Sequence, residues 1–496
     1  MLQRILIANR GEIAVRIIRA CREMGIESVA VFSDADAQAP HVMLADRAIR
    51  IGPAPAADSY LSFDAVLDAA RQASCDGIHP GYGFLSENDA FAARCEDAGI
   101  AFIGPPAGAI ASMGSKVAAR QLARKAGVAV VPGETPVDQT DAAIADAAHR
   151  VGFPLLLKPS EGGGGIGMKA VTEESQLLTA IQQGRREAQA AFADGRLYIE
   201  RLVDRPRHVE IQIMADAHGH VVHLFERECS VQRRHQKVIE ETPSTAVTPP
   251  LRARMGEAAV AIARAAGYRN AGTVEFLVEG TGDAARFYFL EMNTRLQVEH
   301  PITEQVVGVD LVQAQIAVAS GEPLPWTQAD LLQRGHAIEA RVYAEDPANH
   351  DLPQAGPLLL YREPRMPGVR VDAGVAEGGE VTVHYDPMMA KVIATADTRD
   401  AARRRLVAAL RSFPILGVRT NITFLITILE HPRFLAGDTD TGFLDREAQS
   451  FRPHSAAPLP PEVLAVAEAL RGNDLTDNRT VPALPDPWTA LRGARV

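Results

Sequence analysis

Short apolar runs alternate with amphipathic stretches through the first hundred residues. Residues 5–8, 28–32, 77–79 and 100–104 have the apolar character of buried strands, while 13–24 and 63–73 carry the periodicity of helices. This alternation predicts parallel βα units with ligand loops at the carboxyl ends of the strands. The turn after the first strand reads Asn9-Arg10-Gly11-Glu12 rather than G-x-G-x-x-G, which gives a dinucleotide site little support. After this first unit, 1–114, the pattern changes. Between 115 and 321 it predicts a helix at 116–126, a glycine-rich hairpin at 155–171, and strands at 198–202, 209–214, 221–227, 273–278 and 287–292, an α+β arrangement. A third unit, 335–446, predicts strands at 337–343 and 381–384 followed by helices at 399–413 and 420–430. The remaining 447–496 turn proline-rich and polar around one short helical stretch at 462–471, and read as a linker-like tail.

At residues 288–301 the period of two acquires a chemical meaning. Glu291, Asn293, Arg295, Gln297 and Glu299 occupy every second position, and in an extended chain all five point the same way. Carboxylate and carboxamide oxygens are hard ligands suited to Mg²⁺, and an Arg fork matches a planar oxyanion such as carboxylate, bicarbonate or phosphate. Metal, anion and a spare carboxylate base together predict phosphoryl transfer. On this segment alone, a polar edge strand laced with ion pairs is the alternative.

Three further segments bear on that chemistry. Lys158 and the run Gly162 to Met168 follow an apolar strand, and consecutive glycines let backbone N–H groups approach phosphate oxygens closely. The Lys precedes the glycines and no Gly-Lys-Ser/Thr follows, so this is not a Walker A loop; a flexible linker is the other reading. Arg233, Arg234, His235 and Lys237 crowd into five residues between Glu226/Glu228 and Glu240/Glu241. That run is either a solvated face or a charge-balanced, partly buried phosphate site. Glu275 lies on a strand signal sixteen residues before Glu291, with a turn between them at 279–285, so a hairpin can present both carboxylates to one ion.

Composition narrows the field. A chain of 496 residues predicts about three domains. The 47% hydrophobic and 23% charged fractions are those of a globular protein, and a net charge of −11 argues against a general nucleic-acid surface. Four cysteines without a C-x-x-C pair suit a reducing compartment. No run of about 18 apolar residues exists to span a membrane, and a strand signal at 4–8 leaves no room for a leader, so the expectation is cytoplasmic. No H-E-x-x-H, zinc-like Cys/His spacing or G-x-S-x-G elbow supports hydrolytic chemistry.

Taken together these segments resemble the biotin carboxylase component of biotin-dependent acyl-CoA carboxylases, an ATP-grasp enzyme. The resemblance runs in order over roughly residues 1 to 446. It rests on Ile5 to Ala14, His79 to Asn88, the glycine run, Arg207 to Gln212, Gln232 to Lys237, Glu291 to Pro301, Gly335 to Arg341, and Tyr385-Asp386. It implies a three-domain ATP-grasp fold of classes α/β and α+β: a Rossmann-like first domain, an ATP-grasp domain with a mobile lid at about 131–203, and a mixed C-terminal domain. It also implies a ligase that forms ADP and phosphate. By the resemblance, ATP phosphates would be held by Lys116, Lys158, Gly163, Gly164, Gly165, Ile166, Gly167 and Met168. Adenine would meet Glu200, the backbone of Arg201 and Val203, and His208, with Gln232 and His235 near the ribose. Glu275, Glu291 and Asn293 would serve Mg²⁺ or Mn²⁺, and Lys237 the γ-phosphate. Bicarbonate would rest on Arg295, Gln297 and Val298 with Glu299 as its base, and biotin on Tyr82, Arg341 and Asp386.

Two departures stand in the glycine run, where Ile166 replaces the family's usual Lys or Arg and Glu161 a small or neutral residue. Fewer positive charges at a lid weaken phosphate attraction, so activity is expected to persist with weaker ATP affinity. Arg201 replaces a frequent Lys, which a backbone contact tolerates. No Met-Lys-Met attachment motif occurs, so biotin is expected on another polypeptide or on a longer form of this chain, whose end resembles the junction into the carrier half of acyl-CoA carboxylase alpha subunits. The implied partners are a biotin carboxyl carrier protein or domain, a carboxyltransferase subunit and a second copy of the chain or a larger assembly. Another ATP-grasp ligase would share the Mg-ATP half of the site but not Arg295 to Glu299 and Arg341. A catalytically weakened scaffolding subunit is the second alternative.

Overall fold

The computed structural model describes residues 1–160, 167–234 and 236–451. Glu161, Gly163, Gly164, Gly165, Ile166 and His235, the 462–471 helix and most of the tail lie outside them. The predicted βα rhythm gives a five-stranded parallel sheet in the order Arg47–Gly52, Glu27–Ser33, Arg4–Ile7, Gly77–His79, Ala101–Phe102. The order reverses between Arg4–Ile7 and Gly77–His79, and a crevice forms where strand order reverses. The segments that follow these two strands carry Glu12, in the first turn of the helix Gly11–Glu23, and Tyr82. They are tied together by Asn9, whose amide donates to the Pro80 and Tyr82 carbonyls at 2.7 Å each.

A four-stranded sheet, Gly133–Glu134, Leu197–Arg201, Leu155–Pro159, Lys169–Val171, forms the predicted glycine hairpin and its support. Alternation sorts its side chains. Leu155, Leu157, Leu197 and Ile199 enter an apolar cluster with Ile144 and Ile181, while Leu156, Lys158, Tyr198 and Glu200 line a cavity on the other face. Gly167 closes the hairpin at φ +74°, where a Cβ would stand 2.9 Å from Pro159, so the close approach requires glycine.

The largest sheet is antiparallel throughout, with eight strands in the order Arg286–Asn293, Asn270–Glu279, Arg207–Ala215, Val221–Arg233, Gln236–Thr242, His336–Tyr343, Met388–Ala396, Val369–Ala373. It crosses from the second predicted unit into the third where Gln236–Thr242 pairs with His336–Tyr343. The predicted 381–384 strand is corrected to Glu380–Val381, because Val383 and His384 are exposed. Met388–Ala396, which the patterning misses, carries the fully buried Lys391 in the middle of its apolar run. No helix among the described residues is long and apolar enough to cross a membrane.

Candidate active site

The strand Arg286–Asn293 stops at Asn293, and the chain runs irregularly to the helix His300–Val307, which has Pro301 in its first turn. The Thr294 N–H leaves the ladder to donate to Glu87 at 3.0 Å. The expectation of five side chains on one extended face is therefore corrected, with only Glu291 and Asn293 lying in the strand. All but Glu299 line one cavity, and side-chain bonds link three of them, Asn293, Arg295 and Gln297. Arg295 donates to Glu87 at 2.9 Å, Gln297 at 2.7 Å and Asn293 at 3.2 Å, and Asn293 donates to Glu275 at 2.8 Å.

Glu291 stands directly opposite Glu275, Glu275 opposite Glu210, and Glu210 opposite Arg227, so three carboxylates form a row across adjacent strands. Like charges in direct opposition repel, and the row holds only because cations reach into it. Lys237 donates to Glu210 at 2.6 Å, Glu275 at 2.9 Å and Glu299 at 2.6 Å; the fully buried Arg227 donates to Glu210 at 2.5 Å, and His208 lies 2.8 Å from Glu275. Burial raises the Glu291 carboxyl and the Glu275 charge raises it further. Burial acts the same way on Glu275, but Lys237 and His208 outweigh it and hold its pKa well below the usual carboxylate range. Two opposed carboxylates beside a carboxamide are a hard-oxygen donor set, and fit Mg²⁺ or Mn²⁺.

The basic run divides. Lys237 enters the row, Arg233 pairs with Glu345 at 2.6 Å and Asp351 at 2.8 Å, and Arg234 is exposed on the cavity wall. The expected balance by flanking carboxylates is corrected. Glu226 pairs with Arg252, Glu240 with Arg341 and Glu241 with Arg399, while Glu228 accepts from Ser230 and Ser244.

A cavity of about 580 Å³ brings together Lys116, Lys158, Met168, Glu200, Arg201, Val203, His208, Gln232 and Lys237 with Glu275, Glu291, Asn293, Arg295, Gln297, Val298, Arg341 and Asp386. Lys158 donates to Glu200 at 2.7 Å, and Arg120 pairs with the same carboxylate. The Arg201 guanidinium is engaged by Glu279, 2.9 Å off. Glu299 is fully buried between Lys237 and Arg341, the latter at 2.9 Å. Against the penalty of burial, Lys237, Arg341 and Arg227 drive its pKa far down. A second cavity, of about 570 Å³, shares Arg295, Val298, Arg341 and Asp386 with the first and adds Tyr82 and Glu12.

Family models match along the chain. Residues 1–110 match the biotin carboxylase N-terminal domain, 115–327 the carbamoyl-phosphate synthase L chain ATP-binding domain, and 339–446 the biotin carboxylase C-terminal domain. A biotin carboxylase of Halalkalibacterium halodurans is 50% identical over 450 residues, which cover 90% of this chain and 97% of that protein. The chain belongs to the biotin carboxylase family. The alpha subunit of rat mitochondrial methylcrotonoyl-CoA carboxylase is 48% identical over 91% of this chain, and the match spans 63% of that subunit's length. Among solved structures, the biotin carboxylase domain dimer of Hydrogenobacter thermophilus 2-oxoglutarate carboxylase, in complex with MgADP, ADP and bicarbonate, has a TM-score of 0.88 at 40% identity. It covers 92% of this chain and 100% of that one. Campylobacter jejuni biotin carboxylase, in a β,γ-ATP complex, has a TM-score of 0.87 at 41% identity, over 90% and 99% of the two chains.

Several groups of this candidate site escape a reading of the sequence. Glu210 and Arg227 are alternate members of neighbouring strands, and only register reveals that they meet. Glu87 and Glu240 each hold a site arginine from far along the chain, Arg295 and Arg341 respectively. Tyr82 and Asp386, which the resemblance does name, are held by contacts that only the fold shows: Tyr82 donates to Glu12, and Asp386 accepts from the Met388 N–H at 2.8 Å within an exposed loop.

Proposed function

We propose that the chain carboxylates biotin at the expense of ATP and bicarbonate, with biotin carried by another polypeptide. The observation that carries this reading is the half-buried Lys237, which touches at once the metal-type carboxylate Glu275 and the base-type carboxylate Glu299. The ligands of the Hydrogenobacter and Campylobacter relatives support the same substrates here. Glu275, Glu291 and Asn293 would hold Mg²⁺ or Mn²⁺, which supplies charge compensation for the triphosphate when bound. Lys116, Lys158 and Lys237 cradle the phosphates, and Glu200, the Arg201 and Val203 backbone, His208 and Gln232 take the nucleoside end. Arg295, Gln297 and Val298 receive bicarbonate.

Glu299 then removes the bicarbonate proton, and the dianion attacks the γ-phosphorus to give carboxyphosphate and ADP. Lys237 stabilises the charge on the transferring group. Decomposition of carboxyphosphate yields CO₂ and a phosphate that takes the N1 proton of biotin, while Arg341 stabilises the biotin enolate beside Tyr82 and Asp386. An arginine suits that position because it stays protonated throughout. A second copy of the chain, a biotinylated carrier and a carboxyltransferase complete the proposed assembly, in line with the dimeric Hydrogenobacter domain and the acyl-CoA carboxylase relatives.

The test is ADP release as a function of bicarbonate and free biotin. Turnover that depends on both supports the reading. Intact Mg-ATP binding with no bicarbonate-dependent ADP release would turn it toward a regulatory or scaffolding subunit.

A further inference from the structure

Beneath the bicarbonate corner lie two buried ions that the reaction as proposed does not use. Lys391 is 0% exposed in the middle of Met388–Ala396, opposite Arg341 on one neighbouring strand and Asp372 on the other. A lysine fully removed from water is costly unless its ammonium protons are taken up, and replacing a buried ion pair by apolar residues is often neutral for stability. Stability alone is therefore a weak reason for a charge here.

The acceptors of Lys391 point to another. Its ammonium donates to the carbonyl of Val298 at 2.7 Å and pairs with Glu12 at 3.0 Å. Glu12 sits in the first turn of the helix Gly11–Glu23 and accepts the Tyr82 hydroxyl. On the other side of Val298, the Gln297 carbonyl accepts from His300 Nδ1 at 2.8 Å and from the His300 N–H at 3.3 Å. Burial, and then Lys391, Arg16 and Arg370, keep that imidazole from charging, so it serves as a neutral donor. The carbonyls before and after the Val298 Cα are thus both clamped, and Val298 is a wall residue of both cavities.

We propose that Lys391, held in place by Glu12, is a positioning residue for the bicarbonate step: it fixes the Val298 peptide segment in the wall shared by the two cavities and ties it, through Glu12, to Tyr82. This rests on the reading of Arg295, Gln297 and Val298 as the bicarbonate corner. The geometry gives Lys391 no contact with a reacting atom. Its effect runs through the orientation of backbone groups, where a displacement of about 1 Å can cost about a hundredfold in rate.

The experiment is steady-state ADP release by the full chain, with bicarbonate varied at saturating Mg-ATP and then ATP varied at saturating bicarbonate. Lys391→Met is expected to raise the bicarbonate KM by about tenfold or more, the scale of a lost charge-assisted hydrogen bond, and to leave the ATP KM within about twofold. The double variant Glu12→Gln/Lys391→Met removes both buried charges together, and should keep the fold while retaining the bicarbonate defect. Should Lys391→Met prove insoluble, Glu12→Gln alone, which conserves volume and leaves Lys391 in place, is expected to raise the bicarbonate KM by several-fold. Wild-type protein with no bicarbonate-dependent ADP release overturns the reading of the corner and this role with it. Wild-type turnover with an unchanged bicarbonate KM in a folded variant overturns the positioning role alone.

Discussion

A carboxylate acts as a base only as far as its neighbours release its charge, and Glu299 is gripped by both Lys237 and Arg341. On the proposed reading, a γ-phosphate that draws Lys237 toward itself takes one cation from Glu299 and makes it more basic in the step that needs it. Glu299→Gln is expected to keep Mg-ATP binding and lower bicarbonate-dependent ADP release by about 10²–10⁴-fold, the range for loss of a general base. Lys158 gives a prediction in pH. Burial, and then Lys116 and Arg120, push its pKa from 10.5 down to about 7, against the opposing pull of Glu291, while the Glu200 carboxylate that accepts its ammonium at 2.7 Å favours the charged form. The unfolded chain binds the proton more strongly between pH 7 and 10.5, so this group makes stability rise with pH across that window. A bound triphosphate favours the charged form, so ATP binding above pH 7 must take up a proton and weaken as pH rises, by up to about tenfold per unit. Calorimetry at pH 8 in two buffers of different ionisation enthalpy should read that uptake, and Lys158→Gln should abolish it. An unchanged uptake in the variant would place the titration elsewhere.

Elements were legible wherever period and burial agree. The strand at Gly77–His79 and the helix Phe63–Ala73 coincide with their patterns, and the turn between Asn270–Glu279 and Arg286–Asn293 makes the predicted hairpin that brings Glu275 opposite Glu291. Where a functional ion interrupts an apolar run, the pattern fails, as at Lys391 in Met388–Ala396. Where the chain must abandon regular geometry to present a backbone group, period two overreaches, as after Asn293. Cross-strand register is a relation between distant segments, so the place of Glu210 beside the predicted Glu275–Glu291 pair could not be read from its own segment. One close approach between elements is testable. A Cβ on Gly374 would stand 2.4 Å from the Glu12 N and 2.7 Å from the Gly11 Cα, at the start of the helix Gly11–Glu23. Gly374→Ala should therefore destabilise by about 1–3 kcal/mol, the range for overpacking. It should also raise the bicarbonate KM, because it displaces Glu12; a lowered melting temperature with unchanged kinetics would separate the packing from the site.

At the scale of the molecule, the sheet decides what can stand alone. The unit at 335–446 looks separable by sequence, yet His336–Tyr343 pairs along Ile239 to Thr242 of the preceding unit, with Glu240 opposite Glu339 and Glu241 opposite Ile338. Arg341 reaches back across that seam to Glu240 at 2.6 Å and Glu299 at 2.9 Å, and Arg399 to Glu241 at 2.9 Å. Cutting the chain between the units would leave His336–Tyr343 as an edge with open N–H and C=O groups, and edges of that kind recruit other strands. It would also strand the carboxylates Glu240, Glu241 and Glu299 away from their arginines, and breaking a buried pair from one side costs about 3–5 kcal/mol. A fragment spanning 335–451 is therefore expected to aggregate or stay unfolded when produced by itself, as read by circular dichroism and size-exclusion chromatography, while co-expression with 1–334 should recover soluble, bicarbonate-dependent ADP release. A monomeric, cooperatively melting fragment would mean that the seam contributes little, and that Arg341 and Glu299 are brought together by the ligands rather than by the sheet.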